Sequence, residues 1–271
     1  MNNLPIGIFD SGIGGLTVAS AIVKVLPHEQ LIYFGDTAHL PYGDKSPEAI
    51  KYYSLRIAKF LADKKCKAIV IACNTASSLA YSDLVNFMGH ELPIFNVIDP
   101  VVDAVVEQHS YTRVGVIATK ATIKSGVFKH KIQARNALIQ VQSLATPLLA
   151  PMIEEGFFNN KISRTIIDSY LSSSKLKNIE CLILACTHYP LIQKEIEAYY
   201  KYQVNIINTA DIVASFIKNQ LISMDLVNRS EEMGKKNQHE FYVSDYTNSF
   251  EQSATMFFKE KIHLKHQAIW D

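Results

Sequence analysis

The sequence lacks the features that mark membrane, secreted and nucleic-acid-binding proteins. Its 27 basic and 26 acidic side chains leave a net charge of only +1, so no basic excess predicts DNA, RNA or an anionic membrane as a partner. No apolar run approaches the roughly 18 residues of a membrane span, and the first residues lack the pattern of a secretory signal. We therefore expect a cytoplasmic protein that contacts neither nucleic acid nor membrane.

Cysteine is scarce, and its spacing excludes the common cysteine motifs. The four cysteines are Cys66, Cys73, Cys181 and Cys186, and no C-x-x-C occurs among them. This spacing suits neither a zinc ribbon nor a thioredoxin-like redox site, so we expect no metal. In a reducing compartment all four should be free thiols.

Nucleotide-binding motifs are also missing. The turn D-S-G-I-G-G, which begins with Asp10 and Ser11, contains neither G-x-G-x-x-G nor a Walker lysine. A glycine-rich turn before a helix can still hold a phosphate or a carboxylate, and the alternative is that Asp10 and Ser11 only cap that helix. A second turn, Pro41, Tyr42 and Gly43, is either a plain tight loop or a source of backbone N–H groups for a carboxylate.

Short apolar runs, in contrast, are abundant and alternate with amphipathic stretches. With 271 residues, 48% of them hydrophobic, the chain can build one large or two medium-sized cores. The runs are continuous, rich in Ile and Val and too short for helices, as buried parallel strands are. The alternation predicts an α/β fold with mainly parallel sheets flanked by helices. Strands are predicted at 5–10, 30–36, 67–73, 92–98, 113–119, 180–186 and 203–208, and helices at 15–26, 47–63, 76–87 and 191–200.

Two segments of the second half echo two segments of the first half. VGVIATKAT echoes IGIFDSGIG, which aligns Gly115 with Gly7, and CLILACTHYP echoes AIVIACNTAS, which aligns Cys186 with Cys73. Chance is the alternative, because buried strands look alike, but the shared Ala-Cys favours duplication. Duplication predicts two pseudo-symmetric lobes with a cleft between the carboxyl ends of their strands, where such folds bind ligands.

Cys73 and Cys186 each follow a predicted strand and precede a predicted helix. Free N–H groups and the positive end of a helix dipole can stabilise a thiolate at such a junction. A single buried cysteine is usually a packing residue, and we assign that role to Cys66 and Cys181. His188 lies two residues after Cys186 and can assist its proton transfer, or it can be structural.

Two thiols that face each other across a cleft suit the racemisation of an amino acid. One group removes the α-proton from one face while the other supplies a proton to the opposite face, and their roles exchange with direction. Cysteine can serve in both roles when its pKa lies near neutrality. No pattern indicates a pyridoxal phosphate site, although a Schiff-base lysine stays open. Without that cofactor, hydrogen bonds and electrostatics alone stabilise the carbanion.

Five ordered segments resemble those of the bacterial glutamate racemases, namely FDSGIGGLTV, YFGDTAHLPYG, IACNTASS, GVIATKAT and LACTHYPL. They lie between Ile6 and about Leu191, and two of them contain the paired cysteines. The resemblance implies one α/β lobe from residues 1–97 and 209–271, a second from 98–208, and an active site in the cleft between them. It also implies cofactor-independent interconversion of L- and D-glutamate by a homodimer, with D-glutamate feeding peptidoglycan synthesis.

The same resemblance implies roles for individual residues. Cys73 would take the proton from D-glutamate and Cys186 would take it from L-glutamate. Asp10 and His188 would assist the two thiols, and Glu154, which we expect in a loop before a helix, would act near Cys186. The substrate's ammonium and carboxylates would be bound by Asp10, Ser11, Pro41, Tyr42, Gly43, Asn74, Thr75, Thr119, Thr122, Thr187 and His188.

Three alternatives remain open from the sequence. Aspartate could be the substrate, which would require a smaller pocket. The chain could instead be a two-lobed receptor for an anionic metabolite, in which the cysteines only pack. A cysteine hydrolase built on Cys186 and His188 would form a covalent acyl intermediate, but it leaves Cys73 without a role.

Overall fold

Two parallel sheets flanked by helices make up the computed structural model, which describes residues 2–89, 92–108, 110–229 and 239–270. Its strands are β1 (Ile6–Asp10), β2 (Leu31–Gly35), β3 (Ala68–Ile71), β4 (Ile94–Asn96), β5 (Arg113–Ala118), β6 (Gln140–Ala145), β7 (Cys181–Ala185), β8 (Asn205–Ile207), β9 (Glu240–Val243) and β10 (Leu264–His266). Its α-helices are α1 (Leu16–Val25), α2 (Pro47–Asp63), α3 (Asn74–Leu79), α4 (Tyr81–Met88), α5 (Asp99–Glu107), α6 (Lys120–Ser125), α7 (Val127–Arg135), α8 (Leu149–Glu154), α9 (Lys161–Leu171), α10 (Gln193–Tyr199), α11 (Thr209–Ser223) and α12 (Asn248–Phe258).

The four-stranded sheet has the same strand order as four consecutive strands of the six-stranded sheet. The first sheet runs β10-β9-β2-β1-β3-β4 and the second runs β6-β5-β7-β8, with every pair parallel. Strands β1 and β5 therefore occupy equivalent central positions, which matches the alignment of Gly7 with Gly115. Cys73 and Cys186 follow the equivalent strands β3 and β7. The predicted α/β fold with two pseudo-symmetric lobes is confirmed.

We call the body around the six-stranded sheet the first lobe and the body around the four-stranded sheet the second lobe. Strands β9 and β10 come from the C-terminal part of the chain and extend the first sheet beyond β2. The lobe boundaries at 97/98 and 208/209 stay a prediction. Within the described ranges, no helix is long and apolar enough to cross a membrane.

All seven predicted strands are present, but the sequence analysis missed three others. Strand β6 is largely half-exposed, so it lacks the continuous apolar run by which the others were recognised, and β9 and β10 have only four and three residues. The predicted helix 76–87 is instead two helices, α3 and α4, which meet at Ala80. The predicted helix 191–200 begins as a 3-10 turn, Tyr189–Ile192, before α10.

Cys66 and Cys181 are buried in apolar surroundings, and neither lines the cavity between the lobes. Burial raises the pKa of each thiol to about 12. Cys66 also packs behind β1, where a Cβ on Gly7 would lie 3.0 Å from its sulfur. Protonated thiols in tight packing support the structural role that we predicted for both residues.

Candidate active site between the lobes

A cavity of about 280 Å³ lies between the two lobes, at the carboxyl ends of strands from both sheets. Parallel sheets commonly bind ligands at this edge, because the loops that follow the strands converge there. The cleft predicted from the internal repeat is therefore present. It is lined by twelve of the predicted site residues, namely Ser11, Pro41, Tyr42, Gly43, Cys73, Asn74, Thr75, Thr119, Glu154, Cys186, Thr187 and His188.

Two predicted substrate-binding residues, Asp10 and Thr122, do not line the cavity but lie behind its wall. Their predicted contact with substrate stays a prediction, and the structure places them against residues that do line the cavity. Four lining residues were missed by the sequence analysis because small and apolar side chains carry no chemical signal: Leu40, Ala150, Pro151 and Ala185.

Cys73 sits between β3 and α3 and is itself the N-cap residue of that helix. Its backbone is extended (φ −67°, ψ 120°), and its sulfur accepts a hydrogen bond of 3.4 Å from the amide of Ala76. Asn74 and Thr75 follow it within the first turn of the helix. The cap geometry directs the thiol to the cavity wall, where it is 5% exposed.

The surroundings of Cys73 keep its thiol in the neutral form. Burial, together with the nearby negative charge of Asp10, raises its pKa to about 12. Hydrogen bonds from the Ala76 amide and the Ser11 hydroxyl act in the opposite direction but are outweighed. The thiol is therefore protonated at neutral pH.

Asp10 ends β1 and is completely buried behind Cys73. Burial raises the pKa of this carboxyl, while the charge of His188 and the amides of Gly15 and Gly12 lower it. The alternative in which Asp10 and Ser11 only cap α1 was wrong, because Gly15 is the N-cap and no side chain caps the helix. A Cβ on Gly15 would lie 2.5 Å from the Asp10 Cβ, so glycine is required for the turn to pass over the carboxyl.

On the other side of the cavity, Cys186, His188 and Glu154 form a hydrogen-bonded row. His188 Nδ1 lies 3.6 Å from the Cys186 sulfur, and Nε2 lies 2.7 Å from Glu154 Oε1. Glu154 is the last residue of α8, so its predicted loop position was wrong, and its side chain is about a quarter exposed. Burial opposes a charge on His188, yet its bonds to Cys186 and Glu154 raise its pKa well above the ordinary value.

We expect Glu154→Gln to lower the pKa of His188, because an amide lacks the negative charge that stabilises the imidazolium. The variant should then lose the His188 proton at a lower pH than the parent protein. Titration of the His188 ring signals by NMR measures this directly. Glu155→Gln is the matched control, since Glu155 is the exposed next residue, and an unshifted His188 titration in Glu154→Gln would contradict the pairing.

Three threonine hydroxyls join the lobes at the edge of the cavity. Thr75 of the first lobe lies 2.9 Å from Thr119 and 3.1 Å from Thr122 of the second lobe, and the last two lie 3.1 Å apart. These hydroxyls can turn to donate to an anionic group. Beside them Asn74 Oδ1 is buried without a hydrogen-bond partner, which leaves an acceptor in the cavity wall.

The turn after β2 brings the first lobe against the second. A Cβ on Gly43 would lie 2.8 Å from the Thr119 Cβ, so only glycine permits this approach. The neighbouring Tyr42 is almost fully buried and donates a 2.7 Å hydrogen bond to Asp36. This turn completes the wall of the cavity. Acid–base groups lie on two opposed sides of it: Cys73 with Asp10 behind it on one side, and Cys186, His188 and Glu154 on the other.

Comparisons with known proteins agree with this geometry. A family model described as Asp/Glu/Hydantoin racemase matches residues 12–217. A glutamate racemase of Geobacter metallireducens is 38% identical over 95% of this chain and 93% of its own length. The crystal structure of glutamate racemase from Francisella tularensis in complex with D-glutamate has a TM-score of 0.92 and 37% identity, covering 100% of this chain and 99% of that one. The chain therefore belongs to the Asp/Glu/Hydantoin racemase family, within which it groups with the glutamate racemases.

Proposed function

We propose that this chain interconverts L-glutamate and D-glutamate by proton transfer at the α-carbon between Cys73 and Cys186. The observation that carries the proposal is the placement of two thiols after equivalent strands of two lobes, in the wall of one cavity. A racemase without an organic cofactor needs two such groups on opposite faces of the substrate. The family and the similar solved structure with D-glutamate support the choice of substrate.

In the direction from D-glutamate, Cys73 takes the α-proton and Cys186 supplies one to the other face; from L-glutamate the roles exchange. Cys73 must first become a thiolate, which Asp10 opposes electrostatically. A substrate ammonium that enters beside this pair offsets that negative charge, so binding itself favours the reactive form. On the opposite side the protonated His188 can donate a hydrogen bond to the Cys186 sulfur.

Substrate binding uses the remaining polar groups of the cavity. Asn74 Oδ1 accepts from the ammonium, and the threonine hydroxyls together with backbone N–H groups of the two turns donate to the carboxylates. Thr187 and Ser11 line the same cavity within reach of the thiols. In the cell we propose that the enzyme acts in the cytoplasm as a homodimer and supplies D-glutamate for peptidoglycan synthesis.

Circular dichroism of the purified protein with either glutamate enantiomer tests the proposal. We expect the optical signal to decay to zero from both starting points with no cofactor added, because the two enantiomers have equal free energy. Borohydride treatment should leave the rate unchanged, since no Schiff base takes part. Aspartate in the same assay distinguishes the two acidic substrates. Binding of glutamate without turnover would contradict the proposal and favour a receptor.

A further inference from the structure

The turn that forms one wall of the cavity is held from behind by a buried carboxylate. Asp36 is completely buried, and its oxygens accept hydrogen bonds from the Tyr42 hydroxyl at 2.7 Å and the Ser244 hydroxyl at 2.7 Å. His39 Nδ1 lies 2.9 and 3.0 Å from the same two oxygens. A buried carboxylate with three partners has one preferred orientation, so Asp36 determines where Tyr42 stands.

The His39 ring is in turn held by two aromatic rings. It stacks on Tyr53 with the centroids 4.0 Å apart, and the edge of Trp270 meets it at 4.6 Å. Trp270 also contacts Tyr53 edge to face at 5.3 Å. Its position is secured by a hydrogen bond from Arg56 to the Ile269 carbonyl. Aromatic pairs of this geometry contribute free energy beyond the area that they bury.

Nothing in the chemistry of the cavity requires these two rings, because neither Tyr53 nor Trp270 lines it. Trp270 Nε1 is buried without a hydrogen-bond partner, so the indole N–H contributes nothing that phenylalanine would lose. The ring itself is therefore the functional part of this side chain. It closes a continuous row of contacts from Trp270 through His39 and Asp36 to Tyr42 on the cavity wall.

We propose that Trp270 is a positioning residue for substrate binding, acting through His39 and Asp36 on the turn that carries Tyr42. This inference rests on the proposed function of the cavity. The two thiols, in contrast, lie at the junctions after β3 and β7. Loss of the Trp270 ring should therefore loosen the turn that carries Tyr42 without displacing Cys73 or Cys186. The expected signature is a change in KM that exceeds the change in kcat.

The test compares Trp270→Ala, Trp270→Phe and Tyr52→Ala. For Trp270→Ala we expect KM for both glutamate enantiomers to rise about tenfold while kcat stays within about twofold, since a binding turn displaced by a fraction of an ångström loses orientation. Trp270→Phe should restore the parent KM. Tyr52→Ala is the matched control, because this half-exposed ring contacts Trp270 and Tyr53 but has no direct aromatic contact with His39.

A double-mutant cycle with Tyr42→Phe distinguishes an effect of Trp270 that passes through Tyr42 from a general loss of stability. If Trp270 acts through the Tyr42 hydroxyl, Trp270→Ala should raise KM no further in the Tyr42→Phe background. Three results would overturn the proposal. They are additive increases in KM in the double variant, an unchanged KM in Trp270→Ala, and the same changes in kcat and KM in Trp270→Ala as in Tyr52→Ala.

An NMR measurement does not depend on turnover. The His39 ring protons lie against two aromatic rings, so their chemical shifts should change in Trp270→Ala and be retained in Tyr52→Ala, and the Tyr42 ring signals should shift with them. Unchanged Tyr42 signals in Trp270→Ala would show that Trp270 does not position Tyr42, even in a protein that racemises glutamate normally. An inactive parent protein with the expected shifts would refute the proposed function alone.

Discussion

Replacing Cys73 by serine should lower kcat/KM for racemisation by about 10²–10⁴-fold, the usual range for loss of a general acid–base group. Serine is slightly smaller and can still accept a hydrogen bond from the Ala76 amide, but its hydroxyl is a far weaker acid than the thiol and does not reach the anionic form. Because the two enantiomers have equal free energy, the loss in kcat/KM should be equal from L- and D-glutamate. Circular dichroism from both starting enantiomers measures it.

The chain provides matched controls for this experiment. Cys66→Ser alters a buried thiol of the same lobe that does not line the cavity between the lobes, so racemisation should persist in any variant that remains folded. Cys186→Ser should resemble Cys73→Ser. A cysteine hydrolase built on Cys186 and His188 would tolerate Cys73→Ser, so the outcome at Cys73 distinguishes the two mechanisms. Activity retained in both serine variants would exclude proton transfer between two thiols.

The sequence predicts the central strands and the two thiols because their signals are local. A buried parallel strand reads as a continuous apolar run, and the Ala-Cys that ends two such runs marks equivalent positions in two sheets. Strand β6 gives no such run, and Glu154 reads as solvated because its helical position and its bond to His188 depend on how α8 packs against the turn after β7. The periodicity of the sequence does not predict how α8 packs against that turn.

Distant contacts explain the other omissions. Ser244 follows β9, and it reaches Asp36 only because β9 pairs with β2 across more than 200 residues of chain. Trp270 follows β10, and it reaches His39 because β10 pairs with β9 in the same sheet. Each of these residues looks ordinary within its own segment. The row of contacts behind Tyr42 therefore becomes visible only when the sheet order is known.

Cys73 illustrates how burial can overrule a local rule. A thiol at a helix N-terminus normally has a lowered pKa, but α3 has only six residues and Cys73 is almost fully buried. Desolvation then dominates and leaves the thiol protonated at neutral pH. A protonated thiol is a weak nucleophile, so iodoacetamide should alkylate Cys73 slowly in the free protein.

His188→Asn should lower kcat/KM by about 10²-fold and change the α-deuterium isotope effect differently in the two directions. Asparagine removes the imidazolium that lies 3.6 Å from the Cys186 sulfur, so proton transfer at Cys186 slows. The enantiomers have equal free energy, and kcat/KM must therefore fall equally in both directions. Isotope effects measured with L- and D-[2-²H]glutamate reveal which transfer has become limiting.

From L-glutamate, where Cys186 abstracts the proton, we expect a larger isotope effect than in the parent protein. From D-glutamate, abstraction by Cys73 becomes less limiting, so the isotope effect should decrease. Asp10→Asn is the comparison variant, because Asp10 neighbours Cys73 behind the opposite wall, and removal of the charge that opposes the Cys73 thiolate should not enlarge the isotope effect from L-glutamate. Equal isotope effects from both enantiomers in His188→Asn would contradict the assignment of His188 to Cys186.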